Sequence, residues 1–555
     1  MPQFKEDSVA RKLELLRRKE EEENVKTLSQ KYKLPYADLT AFPIEIDAIK
    51  VISEEKARDG ELAVFQIAGK RLNIAVRNPD KNSTAAILKR LAEDRYEYEL
   101  YLVSRSGLER AWSFYKRVPA EQGTMPGAIE VSPERMAAFQ KEINTVAQIQ
   151  KKIAGVLFAK TTEILEILLA GAISVGASDV HLEPLEDAVR IRFRIDGVLS
   201  DVSAIPPKPY ALLLSRIKLV SELKLNVHNR SQDGRFTIKT DGTDIEVRTS
   251  TLPGPYGENT VLRVLHPQAI QVPFGDLGMQ PWVIKTLTAE LKRPNGMILT
   301  TGPTGSGKTT TLYAFLRKIH TPAIKVITIE DPIEYHLAGI EQTQVDPEAG
   351  YDFANGLRSI VRQDPDVILV GEIRDLETAE TAMHAALTGH LVFSTLHTND
   401  AAGTIPRLLD LGVKPNILAP AINVAMAQRL VRKLCAECRV PAELGAAKKK
   451  EIASELTALP KGITAPAQDK WTIFKTNPRG CASCSGLGYK KQIGVFEIIL
   501  IDDGLETLIL KDAPESEIKK AAERQGQITM RQDGLLKVLS GITDFAELER
   551  VLGVS

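Results

Sequence analysis

The spacing of apolar and polar positions changes several times along the chain. Residues 1 to about 30 are almost wholly polar. Leu13, Leu15 and Leu16 stand among Arg17, Arg18, Lys19 and the run Glu20–Glu23, with i,i+4 pairs such as Glu14–Arg18. This predicts a charged helical extension, solvated or frayed rather than dedicated to docking. From about 31 to 116, Leu62–Ile67 and Arg71–Val76 predict two strands joined by a Gly69-Lys70 turn, and Ser83–Leu91 predicts a helix. They form a small α/β module with no visible chemistry. The Pro/Gly punctuation of Val118–Gly127 marks a boundary, so 117–150 reads as a linker followed by a helix.

Residues 151–266 read as a second α/β module. In Val189–Ile195 apolar residues alternate with Arg190, Arg192 and Arg194, a period of two that puts the arginines on one face of a strand. A break at 267–278 reads as an interdomain linker. Beyond it, from 279 to 555, the continuous apolar runs Met297–Thr301, Lys325–Glu330, Val367–Gly371 and Leu391–Thr395 alternate with helical stretches. That is the pattern of buried parallel strands in a nucleotide-binding α/β sheet. The most apolar stretch, Ile164–Val180, carries Glu166, Ser174, Ser178 and Asp179, and is too short and polar to span a bilayer.

Composition narrows the choice. A length of 555 residues suggests three or four domains. Lys plus Arg and Asp plus Glu both total 72, which argues against a nucleic-acid-coating protein. With 43% hydrophobic and 26% charged residues, a disordered or fibrous chain is excluded. Four cysteines make no disulfide framework, and a reducing compartment is expected. The polar start Met1–Asp7 is unlike a signal peptide, so any membrane role is expected through partners.

The strongest chemical signal is Gly302-Pro303-Thr304-Gly305-Ser306-Gly307-Lys308-Thr309, which fits G-x-x-x-x-G-K-[ST] at every fixed position. An apolar strand precedes it and Thr310–Arg317 continues as a helix. The glycines turn backbone N–H groups towards phosphate oxygens, Lys308 reaches the β/γ-phosphates and the Thr309 hydroxyl suits Mg²⁺. The segment Asp366–Glu372 is an apolar strand ending in a carboxylate. A usual Walker B strand ends in Asp then Glu. Here Gly371 takes the first place, leaving Glu372 as the candidate general base. Glu330-Asp331-Pro332-Ile333-Glu334 follows another strand, and Glu330 or Glu334 can support Mg²⁺ or the attacking water. His390 and His397 bracket the strand Leu391–Thr395, where either a structural role or γ-phosphate sensing is open.

All four cysteines form two C-x-x-C knuckles, Cys435/Cys438 and Cys481/Cys484. Four thiolates suit a structural tetrahedral Zn²⁺, ahead of redox pairs or unlinked thiols. The 42 residues between the knuckles imply an inserted subdomain, supplied by Ala442–Lys470.

Several segments now line up in order: Ala177–Pro184, Phe193–Gly197, the P-loop Gly302–Thr309, the acid box Ile329–Glu334, Arg362–Asp375, Thr388–Asp400, Gln428–Cys435 and Gln532–Gly541. Together they resemble the secretion-superfamily hexameric ATPases, in the branch that serves type II secretion and type IV pilus assembly. The resemblance is strong over 150–555 and weak over 31–116. It implies an α/β multidomain protein: an N-terminal N1 module (31–116), a PAS-like N2 domain (151–266) and a RecA-like ATPase domain (279–555) with a zinc subdomain (435–484). It implies ATP, Mg²⁺ and Zn²⁺, and N2 arginines that reach the phosphates, here Arg248 and Arg263. Arg358 and Arg362 match the comparable C-domain arginines, and the His box adds weight to His390 and His397. It implies a homohexamer, peripheral at the inner face of a cytoplasmic membrane, working with a membrane platform protein and a cytoplasmic adaptor to drive pilin or pseudopilin assembly. The four cysteines favour an assembly or secretion member over a retraction one. Paired R-L-G-x-x-L motifs, which bind cyclic di-GMP in many relatives, are absent from residues 1–40. A nucleotide-gated scaffold with little turnover and a DNA-translocating motor are the competing readings.

Overall fold

A computed structural model describes residues 20–553, except 40–43, 69–70, 94–95, 118–127, 131–141, 143–144, 157–160, 241–242, 267–270, 458, 461–462 and 464–465. The Gly69-Lys70 turn and the Glu14–Arg18 pair therefore lie outside the described residues. The chain divides into two compact units, Met1–Thr124 and Met125–Ser555.

In the first unit β1 (Leu62–Ala68) pairs antiparallel with β2 (Arg71–Val76), and β2 pairs parallel with β3 (Glu97–Leu102). The helix Asn82–Glu93 connects β2 to β3. Phe65, Ile74, Leu108 and Trp112 lie in its core. The charged extension is docked rather than solvated where it is described, as a helix over 20–32. Glu21 accepts from the Arg105 N–H (2.9 Å) and Glu22 from the Ser104 hydroxyl (2.6 Å). Both carboxylates thus sit at the N-terminus of helix Arg105–Ser113, where the helix dipole favours negative charge. Val25 is buried beneath them.

The second unit begins with a seven-stranded sheet in the order β4-β8-β9-β10-β5-β6-β7. Its strands are β4 (Ala128–Glu130), β5 (Ala177–Pro184), β6 (Val189–Ile195), β7 (Val198–Ile205), β8 (Gln232–Thr240), β9 (Thr243–Gly254) and β10 (Gly257–Leu265). The stretch read as linker contributes β4, parallel to β8. In β6 Val189, Ile191, Phe193 and Ile195 are buried, while Arg190, Arg192 and Arg194 take the opposite face. The buried face packs on helices Val146–Val156, Thr161–Val175 and Pro207–Val220 through Ile149, Leu165, Leu168, Leu213 and Ile217.

The second sheet runs β13-β12-β14-β15-β11-β16-β19. Its strands are β11 (Gly296–Thr301), β12 (Val326–Glu330), β13 (Glu341–Gln344), β14 (Val367–Val370), β15 (Leu391–Leu396), β16 (Ile422–Leu434) and β19 (Tyr489–Leu500). All pair in parallel except β19 with β16. Every residue of β11, β12, β14 and β15 is buried, because helices cover both faces; this is why they read as unbroken apolar runs. Between the paired ends of β16 and β19 the chain makes the cysteine subdomain, with helix Ala446–Thr457 and the short ladder β17 (Val440–Pro441) and β18 (Phe474–Lys475). Leu434 faces Tyr489 in the register, so the knuckles meet whatever lies between them. The second knuckle also touches the first sheet's lobe: Leu487 packs on its core, and Asp196 Oδ2 accepts from the Lys491 N–H (2.8 Å). Among the described residues no helix is long and apolar enough to cross a membrane.

Candidate active site

The P-loop joins β11 to helix Lys308–Ile319. Gly302 and Gly307 have φ of 149° and 87°, which disfavour a side chain. A Cβ on Gly302 would lie 2.6 Å from the Gln428 carbonyl, and one on Gly307 2.7 Å from the Gln428 amide nitrogen. The start of the Gln428–Leu430 run on β16 is therefore pressed against the loop. Lys308 is buried, and its ammonium donates to the Gly302 (2.7 Å) and Pro303 (3.2 Å) carbonyls. Burial, aided by the Arg429 charge and opposed by Glu372, brings its pKa down to about 8. Pro303, Thr304, Gly305 and the Thr309 side chain are exposed, and Thr310 is half-buried. The buried Ser306 hydroxyl has no hydrogen-bond partner. A desolvated lysine, an orphaned hydroxyl and a helix N-terminus at one glycine loop fit a phosphate chain, and the open Thr309 hydroxyl fits Mg²⁺.

Glu372 follows Gly371 at the carboxyl end of β14. A Cβ at Gly371 would sit 3.2 Å from the Ile329 carbonyl oxygen and 3.3 Å from Glu330 Cα, which accounts for glycine there. The Glu372 carboxylate pairs with Arg374 (2.5 Å) and lies 3.6 Å from His397 Nε2. Thr301 Oγ1 accepts from the Thr398 N–H (2.7 Å), fixing the His box to the end of the P-loop strand. Burial, with the Lys308 charge, lowers the His397 pKa and favours the neutral ring. His390 is different. It precedes β15, at the end of the strand away from the P-loop, and its ring nitrogen bonds the Ala385 carbonyl (3.0 Å), so the structure does not bring it to the site.

In the acid box Glu330 is buried and held by the Tyr313 hydroxyl, Thr328 Oγ1 (2.6 Å) and Gln342 Nε2 (3.1 Å). Asp331 is exposed. Glu334 pairs with Arg248 (3.1 Å), which also donates to the Ile333 carbonyl (2.6 Å) and to Glu246 (3.1 Å). Arg263 bonds Asp179 (2.9 Å). Both arginines line one cavity with Pro332 and Ile333. Arg358 pairs with Glu377 on an exposed helix face and Arg362 with Ser359. Sequence reasoning did not single out Arg374, Arg429 or Tyr313. Arg374 lies two residues from Glu372, which was the available signal. Arg429 depends on β16 lying beside β11, which no local pattern reveals.

The four sulfurs lie within 4.8 Å of one another. The separations are 3.7 Å (Cys435–Cys481), 3.8 Å (Cys438–Cys484) and 3.8 Å (Cys481–Cys484). Zn–S bonds of about 2.3 Å at tetrahedral angles give an edge of about 3.8 Å, and a disulfide needs about 2.05 Å. Burial works against a thiolate at Cys484, yet N–H donors of Cys481 and Gly488 (both 3.2 Å) outweigh it and bring its pKa down to about 7. The donor set fits zinc.

The profile of the type II/IV secretion system proteins matches residues 158–550. This chain belongs to that family. An MshEN domain profile matches residues 32–121. Among family members, the type IV pilus assembly ATPase PilB of Myxococcus xanthus is 36% identical over 528 residues, 95% of this chain and 90% of the relative. The type II secretion system ATPase E of Vibrio cholerae is 42% identical over 393 residues, 71% of this chain and 75% of the relative. The Legionella pneumophila ATPase DotB shares the fold, with a TM-score of 0.50 at 21% identity over 71% of this chain and 96% of that one.

Proposed function

We propose that this family member is the ATP-hydrolysing motor of a type IV pilus assembly or type II secretion machine. The chain is an ATP hydrolase. The observation that carries the assignment of roles is the convergence of Lys308, Glu372 and His397 at the carboxyl edge of one parallel sheet, beside a glycine loop that a phosphate chain would fill.

Lys308 leaves the Gly302 and Pro303 carbonyls to bind the β/γ-phosphates, and the P-loop N–H groups of 305–309 bind the remaining oxygens. The Thr309 hydroxyl would hold Mg²⁺, with Glu334 in support, and the ion when bound would neutralise charge on the phosphoryl oxygens. Glu372 orients the attacking water and takes its proton, while neutral His397 faces the same carboxylate and senses the γ-phosphate. Glu330, already held by three donors, acts from behind as a support. Arg248 and Arg263, carried on the β9–β10 hairpin of a PAS-like lobe, close on the developing charge, so hydrolysis depends on lobe orientation. The four cysteines hold a structural Zn²⁺. The working form is a homohexamer at the inner face of the cytoplasmic membrane, attached through a platform protein and a cytoplasmic adaptor.

The test is steady-state hydrolysis of Mg-ATP by wild type and Glu372→Gln, each sized on a column. Turnover by a ring-sized wild type, with kcat lowered about a hundredfold or more in a mutant that still binds ATP, is the expected result. Undiminished kcat in the mutant removes Glu372 from its role.

A further inference from the structure

A third arginine shares the face that carries Arg248 and Arg263. The register sets Arg235 of β8 opposite Arg248 of β9, and Arg248 opposite Arg263 of β10. Directly opposed side chains lie about 5 Å apart, so three guanidinium groups form one row across three strands, and like charges so placed repel. The row lines a cavity of about 570 Å³ whose far wall is Pro332, Ile333, His336 and Gln344.

The three charges are not treated alike. Arg248 is balanced by Glu334 and Glu246, and Arg263 by Asp179. Arg235 is exposed and, among the described residues, its side chain has no ion pair or hydrogen bond. Its backbone is nonetheless held firmly. The side-chain amide of Gln232 ties the strand entry to the Lys224 N–H and carbonyl and the Val227 carbonyl (3.0–3.1 Å). A Cβ on Gly234 would lie 2.2 Å from the Ser221 carbonyl, so the chain there abuts the end of helix Pro207–Val220. In that row of three, Arg235 is the guanidinium left open to an anion, on a backbone that holds its place beside Arg248. The planar fork of Arg suits phosphoryl oxygens.

We propose that Arg235 is a third phosphate-side arginine, closing with Arg248 and Arg263 on the phosphate chain of ATP when this lobe swings onto the P-loop. The assignment rests on the ATPase reading given above. It is tested in the full chain with Arg235→Ala, Arg235→Gln and Arg235→Lys, by Mg-ATP hydrolysis and by the thermal shift caused by AMP-PNP or by inorganic phosphate alone. Arg235→Ala and Arg235→Gln are expected to lower kcat by about ten- to a hundredfold and raise KM by about tenfold or more, to lose most of the AMP-PNP shift, and to keep or raise the nucleotide-free Tm because repulsion is relieved. Arg235→Lys, a point charge without the fork, is expected to recover only part of kcat. Wild-type kcat and AMP-PNP shift in Arg235→Ala overturn the proposal. So does a nucleotide-free Tm that falls in both neutral variants, which marks a structural role. So does a shift by inorganic phosphate equal to that by AMP-PNP and lost with Arg235, which marks a free-anion site. The AMP-PNP arm reads Arg235 without turnover, so a wild type that fails to hydrolyse ATP counts against the enzyme reading alone.

Discussion

At Lys308 the sequence motif and the physics of burial meet. The motif gave the residue, but only the packed loop shows that its ammonium is desolvated and shared between two carbonyls. Its pKa in the fold, about 8, lies below the usual value near 10.4. Between those values the unfolded chain binds more protons, so the Lys308 contribution to stability rises with pH across that window and is least below it. A bound phosphate reverses the shift. Binding of AMP-PNP at about pH 9 is therefore expected to take up close to one proton, and at about pH 7 almost none. Calorimetry in buffers of different ionisation enthalpy reads this directly, and equal uptake at both pH values would mean that Lys308 does not meet the phosphates. Glu372 was legible as the carboxylate after an apolar strand. Its guanidinium partner was not, because Arg374 comes back to it through a loop rather than along the strand. His390, open between a structural role and γ-phosphate sensing, takes the structural one: flanking a strand on both sides looks symmetrical in sequence, whereas only one end of a parallel strand faces the P-loop.

At the scale of elements, strands buried on both faces were the easiest to read, since nothing polar interrupts them. The three-residue β4 was hidden in a stretch whose Pro and Gly residues spoke of a linker, and the acidic run Glu20–Glu23 hid its role as a cap for a helix some eighty residues away. The end of β14 shows how tightly two strand ends can meet. With only about 3.2 Å between a Gly371 Cβ and the Ile329 carbonyl, Gly371→Ala is expected to cost about 1–3 kcal/mol, read as a lowered Tm. Gly371→Asp, which restores the more usual Walker B acid, is expected to be no faster than wild type in ATP turnover; a gain would show that the position has room for a metal ligand. The paired ends of β16 and β19 predict a different behaviour for the cysteine subdomain. One zinc per chain is expected by elemental analysis. Its removal by chelation should raise amide exchange across about residues 435–490 while leaving β11 and the P-loop helix protected. Exchange that is unchanged would argue against a metal-dependent fold.

At the scale of the molecule, the order of the sheets was legible because each has its own hydrophobic period, and the contacts between lobes were not, because they join residues from 85 to 295 positions apart. The first unit has a separate core around Phe65 and Trp112. A chain lacking residues 1–124 is therefore expected to keep basal ATP turnover within about twofold; loss of folding, judged by circular dichroism, would show that the cores are not independent. Between the lobes of the second unit, Leu487 of the second knuckle lies on the core of the Arg-bearing lobe and Asp196 holds the Lys491 N–H. Turning that lobe exposes the rest of the half-buried Leu487 and breaks this bond, at about 1–3 kcal/mol by ordinary burial and hydrogen-bond values, and it also breaks the Arg248 contacts to Glu334 and Ile333. The knuckle thus works as a detent. It sets a resting angle and a threshold force, so that a stroke begins only when the pull at the nucleotide exceeds it, and small thermal rocking is returned to the same starting point.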